Sequence, residues 1–335
     1  MIAPTSHTVD LRDFLGEISI LPFRLLLETP GVEATVPMLR GAWGAALHDL
    51  DREAYHAVFD PPDAEATPPG YLFRPAPPDP RFAPAVDWFL FGAALEHEVT
   101  LRRAWELTAQ RGLGPRRRPL TIRAVVALGP AGQLRPVAEF ANHVAEFVRI
   151  PKTAEDGHAR TLASPAPLEI LTNSATARTR ASPATGHAWT LAEAAWPAAN
   201  PHAACSLVFP APLRLRRQGR LIDEPTLADL VVAACRRIGA FLPCERRGEW
   251  QARTPRWIET AHATPQRPWA GKRLDLHRYS SRQSAELDLR GVAGRLDLPE
   301  GPGELAPLLA AAAWLHLGKG TVMGLGQMEV VRGDG

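Results

Sequence analysis

The sequence contains few lysines and few cysteines, and it has no long hydrophobic run. No apolar stretch reaches the roughly 18 residues that a membrane-spanning helix requires. The first residues, MIAPTSHTVDLRD, lack a basic segment followed by an apolar core, which is the pattern of an export signal. These absences predict a soluble protein of the cytoplasm that has no contact with a membrane.

The three cysteines, Cys205, Cys235 and Cys244, show neither metal-ligand nor redox-motif spacing. An odd number of cysteines in a chain without an export signal fits a reducing cytoplasm. We therefore expect no metal site and no other cofactor.

Positive charge is carried almost entirely by arginine. Of the 38 basic residues only Lys152, Lys272 and Lys319 are lysines, which leaves 35 arginines. A GC-rich genome would explain this bias, but the planar guanidinium also suits phosphates and base edges. The net charge of +2 does not decide between these explanations. The arginines are clustered at 102–103, 116–118, 214–217, 236–237 and 246–247.

A length of 335 residues predicts two domains, and the order of elements suggests the fold of each. The first half reads strand–helix–strand–strand–helix–strand, the order of a ferredoxin-like domain, and the second half repeats it. We predict an α+β protein of two tandem ferredoxin-like (RRM-like) domains, at residues 1–155 and 160–335. The predicted strands are 17–28, 71–74, 86–91, 120–128, 168–172, 206–215, 274–279, 285–298 and 321–331. The predicted helices are 37–50, 93–111, 225–241 and 304–317.

The segment AAWLHLGKGTVMGLGQMEVV near the C-terminus predicts a glycine-rich loop between a helix and a strand. Glycines let backbone N–H groups approach phosphate oxygens, and a lysine in the same loop adds positive charge. The nucleotide-binding P-loop is a poor match, because it needs a different spacing and precedes its helix. The residues of this loop that could contact a phosphate are Gly318, Lys319, Gly320, Thr321, Gly324 and Gly326.

This loop resembles the glycine-rich loop of RAMP-superfamily endoribonucleases that process CRISPR transcripts. Three further segments resemble the same family in the same order: PMLRGAWGAALH (37–48), residues 87–120, and LHRYSSRQSAELDLRGVAGRLDL (276–298). Many relatives have a cysteine-containing stretch after the first helix, whereas this chain has Asp60–Pro61–Pro62 and no cysteine there.

The resemblance implies cleavage of repeat RNA by attack of a 2′-hydroxyl on the adjacent phosphate, without a metal ion. It places the site between the first helix and the glycine-rich loop, across the domain interface. The catalytic candidates are Arg24, Arg40, His48 and His56. His48 could instead be an exposed helix residue and His56 a packing residue, and Arg24 should have a partner if it is buried.

The resemblance also suggests residues that would bind the RNA. Tyr279, Ser280, Arg282 and Gln283 form a polar cluster among strand-forming neighbours, although Arg282 could instead pair with a local acid such as Glu286. Arg116, Arg117 and Arg118 could contact the RNA backbone or form a solvated loop. We expect His316 to pack at a helix end and Trp250, Trp257 and Trp269 to pack in the core.

The expected partner is CRISPR repeat RNA, both as precursor and as mature guide. Whether other subunits of a CRISPR effector complex also bind is left open. The alternative function is a subunit of such a complex that binds the guide RNA and does not cut it. A third possibility is a basic RNA-binding protein unrelated to CRISPR. In that case the resemblance of four segments to one family, in the same order, would be a coincidence.

Overall fold

The computed structural model describes residues 10–31, 33–61, 68–77, 84–114, 116–137, 187–197, 200–275, 277–280 and 285–332. The α-helices are α1 (Leu11–Leu15), α2 (Val36–Leu50), α3 (Arg52–Phe59), α4 (Glu98–Arg111), α5 (Leu227–Gly239), α6 (Cys244–Ala263) and α7 (Ala306–Leu315). The strands of the first half are β1 (Ser19–Glu28), β2 (Tyr71–Pro75), β3 (Ala85–Phe91), β4 (Thr121–Leu128), β5 (Leu134–Pro136) and β6 (Trp189–Thr190). Those of the second half are β7 (Cys205–Leu213), β8 (Arg216–Arg217), β9 (Arg220–Leu221), β10 (Ala270–Leu274), β11 (His277–Ser280), β12 (Ala285–Asp288), β13 (Gly291–Leu298) and β14 (Glu329–Arg332).

The first sheet has the antiparallel strand order β2-β3-β1-β4-β5, with β6 added to the start of β1. Its four main strands and the helices α2 and α4 have the ferredoxin-like order predicted from the sequence. The second sheet has the order β10-β13-β7-β14, and two small hairpins, β8–β9 and β11–β12, stand apart from it. The predicted α+β fold class is confirmed.

The first sheet is buried on both faces. Because side chains alternate along a strand, Phe23 and Trp88 enter one core with Trp43 of α2, while Phe89 enters another. The second core is shared with α7, where the ring of Trp314 lies 5.7 Å from that of Phe89. The two halves of the protein are therefore joined through a common apolar core.

Helix α6 was not predicted from the sequence. It contains Gly248 and Pro255, two residue types that disfavour helix interiors. Tertiary packing stabilises it nevertheless: Trp250 and Trp257 are buried, and both contact Phe14 of α1 edge-on. The expected core role of these two tryptophans is confirmed.

Two further expectations need correction. The helix predicted from residue 93 begins as a 3-10 turn, Gly92–His97. The strand predicted from residue 321 begins with a 3-10 turn at Thr321–Met323, and only Glu329–Arg332 pairs with the sheet. The predicted strand 168–172 and the boundary at 155–160 lie outside the described residues. No helix in the described ranges is long and apolar enough to cross a membrane.

Candidate active site and nucleic-acid interface

The glycine-rich loop begins where α7 ends and returns on itself before β14. The backbone N–H of Leu317 donates to the Gly326 carbonyl at 2.9 Å, and that of Gly326 donates to the Pro212 carbonyl at 3.0 Å. Gly326 has a positive φ of 67°, and a Cβ at this position would collide with the carbonyl oxygen of Leu317. The loop therefore requires glycine at 326 both for its backbone conformation and for space.

The tip of this loop reaches the N-terminal half of the protein. A Cβ placed on Gly324 would lie 3.2 Å from the Phe73 carbonyl oxygen of β2 and 3.7 Å from Val36 at the start of α2. Val322 packs against the same core as Trp43. The predicted meeting of the first helix and the glycine-rich loop therefore occurs at the first turn of α2.

Arg40 is the catalytic candidate closest to this meeting point along the helix. It lies four residues after Val36, which is about 6 Å along a helix axis. Its Nε donates to the Tyr71 hydroxyl at 2.9 Å, and its guanidinium lies over the Phe59 ring at 5.0 Å. Burial raises the pKa of Tyr71, so the phenol stays protonated. These two contacts hold the guanidinium of Arg40 in place.

His48 and His56 lie at the other end of α2 and on α3. Twelve residues separate His48 from Val36, or about 18 Å along the helix axis. The ring centroid of Tyr55 lies 5.1 Å from that of His48 and 5.6 Å from that of His56. Hydrogen bonds from His48 and Arg111 lower the pKa of Asp49 beside them. The structure thus separates the histidines from the glycine-rich loop, although the sequence analysis grouped them in one site.

Arg24 takes part in an ion pair inside the first sheet. It donates to the buried carboxylate of Asp87 through Nε at 2.7 Å and Nη2 at 3.1 Å. Arg74 donates to the same carboxylate at 3.0 Å. A charge in an apolar strand was expected to need a partner, and Asp87 is that partner.

The arginines at 116–118 are exposed in the turn after α4, where Arg118 forms a β-bridge with Leu113. Tyr279 and Ser280 lie on β11, opposite Glu286 and Ala285 of β12. Arg282 and Gln283 lie outside the described residues. The RNA-binding roles of these residues stay predictions.

A groove of about 1010 Å³ beside the glycine-rich loop was not assigned from the sequence. It is lined by Gly318 and Lys319 of the loop, by the β8–β9 hairpin and by α5. Its basic lining residues are Arg214, Arg216, Arg217, Arg236, Arg237, His262 and Lys319. The groove brings together two of the arginine clusters seen in the sequence, 214–217 and 236–237. Because these clusters lie far apart along the chain, the sequence did not show that they are neighbours.

Arg237 has an unused donor in this groove. Its Nε donates to the Leu315 carbonyl at 3.3 Å, whereas its buried Nη2 has no hydrogen-bond partner among the described residues. Burial lowers the pKa of Arg237 to about 10, so the group remains charged at neutral pH. An unsatisfied buried donor favours a ligand that supplies an acceptor.

His316 connects the two ends of the glycine-rich loop. It is fully buried at a positive φ of 57°, and its Nδ1 lies 3.2 Å from the Leu325 carbonyl oxygen. Burial, followed by the nearby charge of Arg74, lowers its pKa well below the usual value, so the ring is neutral. The Nδ1–H tautomer donates to Leu325, and the expected packing role of His316 is confirmed.

Comparison with known proteins adds independent findings. Residues 207–328 match the family model of the CRISPR-associated endoribonuclease Cas6. The chain is similar to Cas6 of Thermus thermophilus, with a TM-score of 0.50 at 11% identity, covering 94% of this chain and 99% of the other. The chain is also similar to a Cas6 protein in complex with a substrate mimic, with a TM-score of 0.48 at 18% identity. That match covers 93% of this chain and 99% of the other. A third similar structure is a chain of a partial Cas6-RT-Cas1–Cas2 complex, with a TM-score of 0.47 at 12% identity. That match covers 95% of this chain and 46% of the other. No curated protein sequence matches the chain.

The family match includes β7, α5, α7 and the glycine-rich loop, the part of the chain in which the sequence resemblance is most specific. The resemblance to the CRISPR RNA-processing endoribonucleases is confirmed by the Cas6 family model over residues 207–328.

Proposed function

We propose that the chain is an endoribonuclease of the Cas6 type that binds CRISPR repeat RNA and cuts it by attack of a 2′-hydroxyl on the adjacent phosphate. The products would be a cyclic phosphate and a 5′-hydroxyl, and no metal ion would take part. The observation that carries this proposal is the contact of the glycine-rich loop with the start of α2, where Val36 lies 3.7 Å from the Gly324 Cβ position.

The nucleophile in this reaction belongs to the substrate and is already next to the phosphate that it attacks. The protein must hold the hydroxyl, phosphorus and leaving oxygen in line and stabilise charge on the phosphorane. Arg40 suits the second task, because its guanidinium is positively charged and is held in place by Tyr71. Lys319 is exposed on the glycine-rich loop and would bind a phosphate close to the same point.

The groove beside the loop supports an RNA path toward the cleavage point. Gly318 and Lys319 belong both to the groove and to the loop, so an RNA strand that lies in the groove would also contact the loop. The arginines of α5 and the hairpin would bind its phosphates, and Arg237 Nη2 would gain the acceptor that it lacks. Contacts of this kind release counterions, so binding should weaken steeply with salt.

Association with other subunits of a CRISPR effector complex stays a prediction. The same holds for a role of His48 or His56 as general acid or base. If the histidines act, the RNA must reach the C-terminal end of α2, where they flank Tyr55.

The experiment is cleavage of the repeat RNA of the neighbouring CRISPR array by purified protein in excess EDTA. A matched RNA with a single 2′-deoxy nucleotide at the cut site is the control. We expect only the first RNA to be cut and its product to carry a cyclic phosphate. Cleavage of both RNAs would contradict the 2′-hydroxyl mechanism. Tight and specific binding without cleavage would instead indicate the non-cleaving subunit.

A further inference from the structure

One strand, β2, contacts both the glycine-rich loop and Arg40. The Phe73 carbonyl oxygen of this strand lies 3.2 Å from the position that a Cβ on Gly324 would occupy. Two residues earlier on the same strand, the Tyr71 hydroxyl accepts the hydrogen bond from Arg40 Nε at 2.9 Å. Because residues i and i+2 of a strand face the same side, the side chains of Tyr71 and Phe73 enter the same core beneath α2. A single element of secondary structure therefore fixes Arg40 relative to the loop.

The guanidinium of Arg40 rests on a platform of aromatic rings. Its Cζ lies 5.0 Å from the centroid of the Phe59 ring, and that ring lies 4.8 Å from the ring of Tyr71. The centroids of both rings lie 5.3 Å from that of Trp43. Trp43 is fully buried, so the platform is part of the core. Arg40 is thus held at its Nε edge by Tyr71 and over one face by Phe59.

Gly44 provides the space for this platform. It lies one turn after Arg40 on the same side of α2, because residues four apart are neighbours on a helix. A Cβ at Gly44 would come within 2.8 Å of Phe59 Cζ. The absence of a side chain at residue 44 therefore lets the Phe59 ring pack against the helix next to Arg40.

Tyr71 itself cannot contact a bound RNA. Its side chain is fully buried, whereas Arg40 is partly exposed. Burial also raises the pKa of Tyr71, so its hydroxyl is protonated and does not act as a base. The hydroxyl can still fix the orientation of Arg40. A guanidinium is planar and presents its donors in a fixed fork, so a hydrogen bond at Nε also sets the direction of the two Nη groups.

We propose that Tyr71 is a positioning residue for RNA cleavage. Its hydroxyl orients the Arg40 guanidinium so that the Nη groups face the phosphate at the glycine-rich loop. Tyr71 acts through Arg40 and touches neither the RNA nor the reacting atoms. The inference rests on the proposed function, since it requires that Arg40 stabilises the phosphorane.

The test compares Tyr71→Phe with Thr108→Val in the full chain. Tyr71→Phe keeps the ring and removes the hydroxyl that Arg40 binds. Thr108→Val is the matched control, because it removes another buried hydroxyl of the same half, one that donates to the Ala104 carbonyl at 2.6 Å. Arg40 is partly exposed, so water can replace the lost hydroxyl and Tyr71→Phe should fold, which urea unfolding checks.

The expected effect of Tyr71→Phe is on the cleavage step. It should slow single-turnover cleavage at saturating repeat RNA about tenfold, the effect of losing one hydrogen bond in the transition state. The Kd for repeat RNA should change less than about twofold, because an interaction made only in the transition state does not affect ground-state binding. Thr108→Val should match the wild type in both measurements.

A double-mutant cycle distinguishes positioning from a purely structural role. In an Arg40→Gln background, Tyr71→Phe should change the cleavage rate less than about twofold, because the group on which Tyr71 acts is absent. A further loss of about tenfold in that background would overturn the proposal, since Tyr71 would then act on another part of the protein.

Wild-type cleavage by Tyr71→Phe would also overturn the proposal, as would a raised Kd with an unchanged cleavage rate. If the wild type does not cut repeat RNA, or if Arg40→Gln cuts as fast as the wild type, the proposed function or its use of Arg40 fails, and the inference falls with it. A large loss in Arg40→Gln together with no loss in Tyr71→Phe is a distinct result, in which only the inference fails.

Discussion

Arg24 and Asp87 face each other across β1 and β3 and form a two-point ion pair inside the first sheet. Arg74 stands opposite the same aspartate on β2 and binds its second oxygen. The three side chains form a row across adjacent strands, with a fully buried carboxylate in the middle. This arrangement gives Arg24 a structural task that does not require contact with RNA.

Arg24→Ala should therefore act mainly on stability. Removal of one partner leaves a buried carboxylate with a single arginine, which should lower the free energy of unfolding by about 3 kcal/mol. Urea unfolding of the variant measures this loss. The control is Arg123→Ala, which removes a partly exposed pair with Glu28 at the edge of the same sheet's buried core and should cost less than about 1 kcal/mol. Unchanged stability together with lost cleavage would instead assign Arg24 to catalysis.

Arg40 and His48 should differ in their effects on cleavage. If Arg40 stabilises the phosphorane, Arg40→Gln should slow single-turnover cleavage about 100-fold, the usual effect of removing one donor to a transition state. His48→Ala should change the rate less than about threefold, because His48 lies about 18 Å from the loop along α2. Unfolding curves of both variants control for stability. A large rate loss in His48→Ala and none in Arg40→Gln would move the site to the C-terminal end of α2.

Gly326 should tolerate no side chain. Gly326→Ala places a Cβ against the Leu317 carbonyl and should disrupt the loop, with a loss of several kcal/mol in the free energy of unfolding or no folded protein. Gly114 is a matched control, since it has the same φ of 67° and open space around its Cβ position. Gly114→Ala should cost only the left-handed backbone conformation, about 1 to 2 kcal/mol. Equal losses in the two variants would show that the Leu317 contact is unimportant.

His316 should make the protein less stable in mild acid. Its folded pKa is lowered below the usual 6.5, so the unfolded chain takes up a proton that the folded protein does not. From about pH 7.5 to about pH 5.5 this group should remove about 1.4 kcal/mol of stability. His316→Asn can still donate to Leu325 and accepts a positive φ, but it does not titrate. Urea unfolding should show a smaller loss in that variant, and an equal loss in both proteins would contradict the assignment.

Much of the fold was predictable because local signals and tertiary contacts agree. Strand β1 and helix α2 were predicted within two residues, since an apolar run with flanking turn residues and a proline in the first helical turn are strong signals. Helix α6 was missed because Gly248 and Pro255 argue against a helix. Burial of Trp250 and Trp257 against α1 outweighs that local preference, and only the tertiary structure shows the burial.

The sequence by itself determined the α+β class, the glycine-rich loop and the family resemblance, because glycine spacing and strand–helix order are properties of the chain. The tertiary structure decided which candidate residues are neighbours. It placed Arg40 near the loop, His48 at the far end of the same helix, and Arg24 in an ion pair with Asp87. It also joined arginines from α5 and the β8–β9 hairpin into a basic groove. Residues far apart in sequence come together only through the packing of strands and helices, which no local pattern specifies.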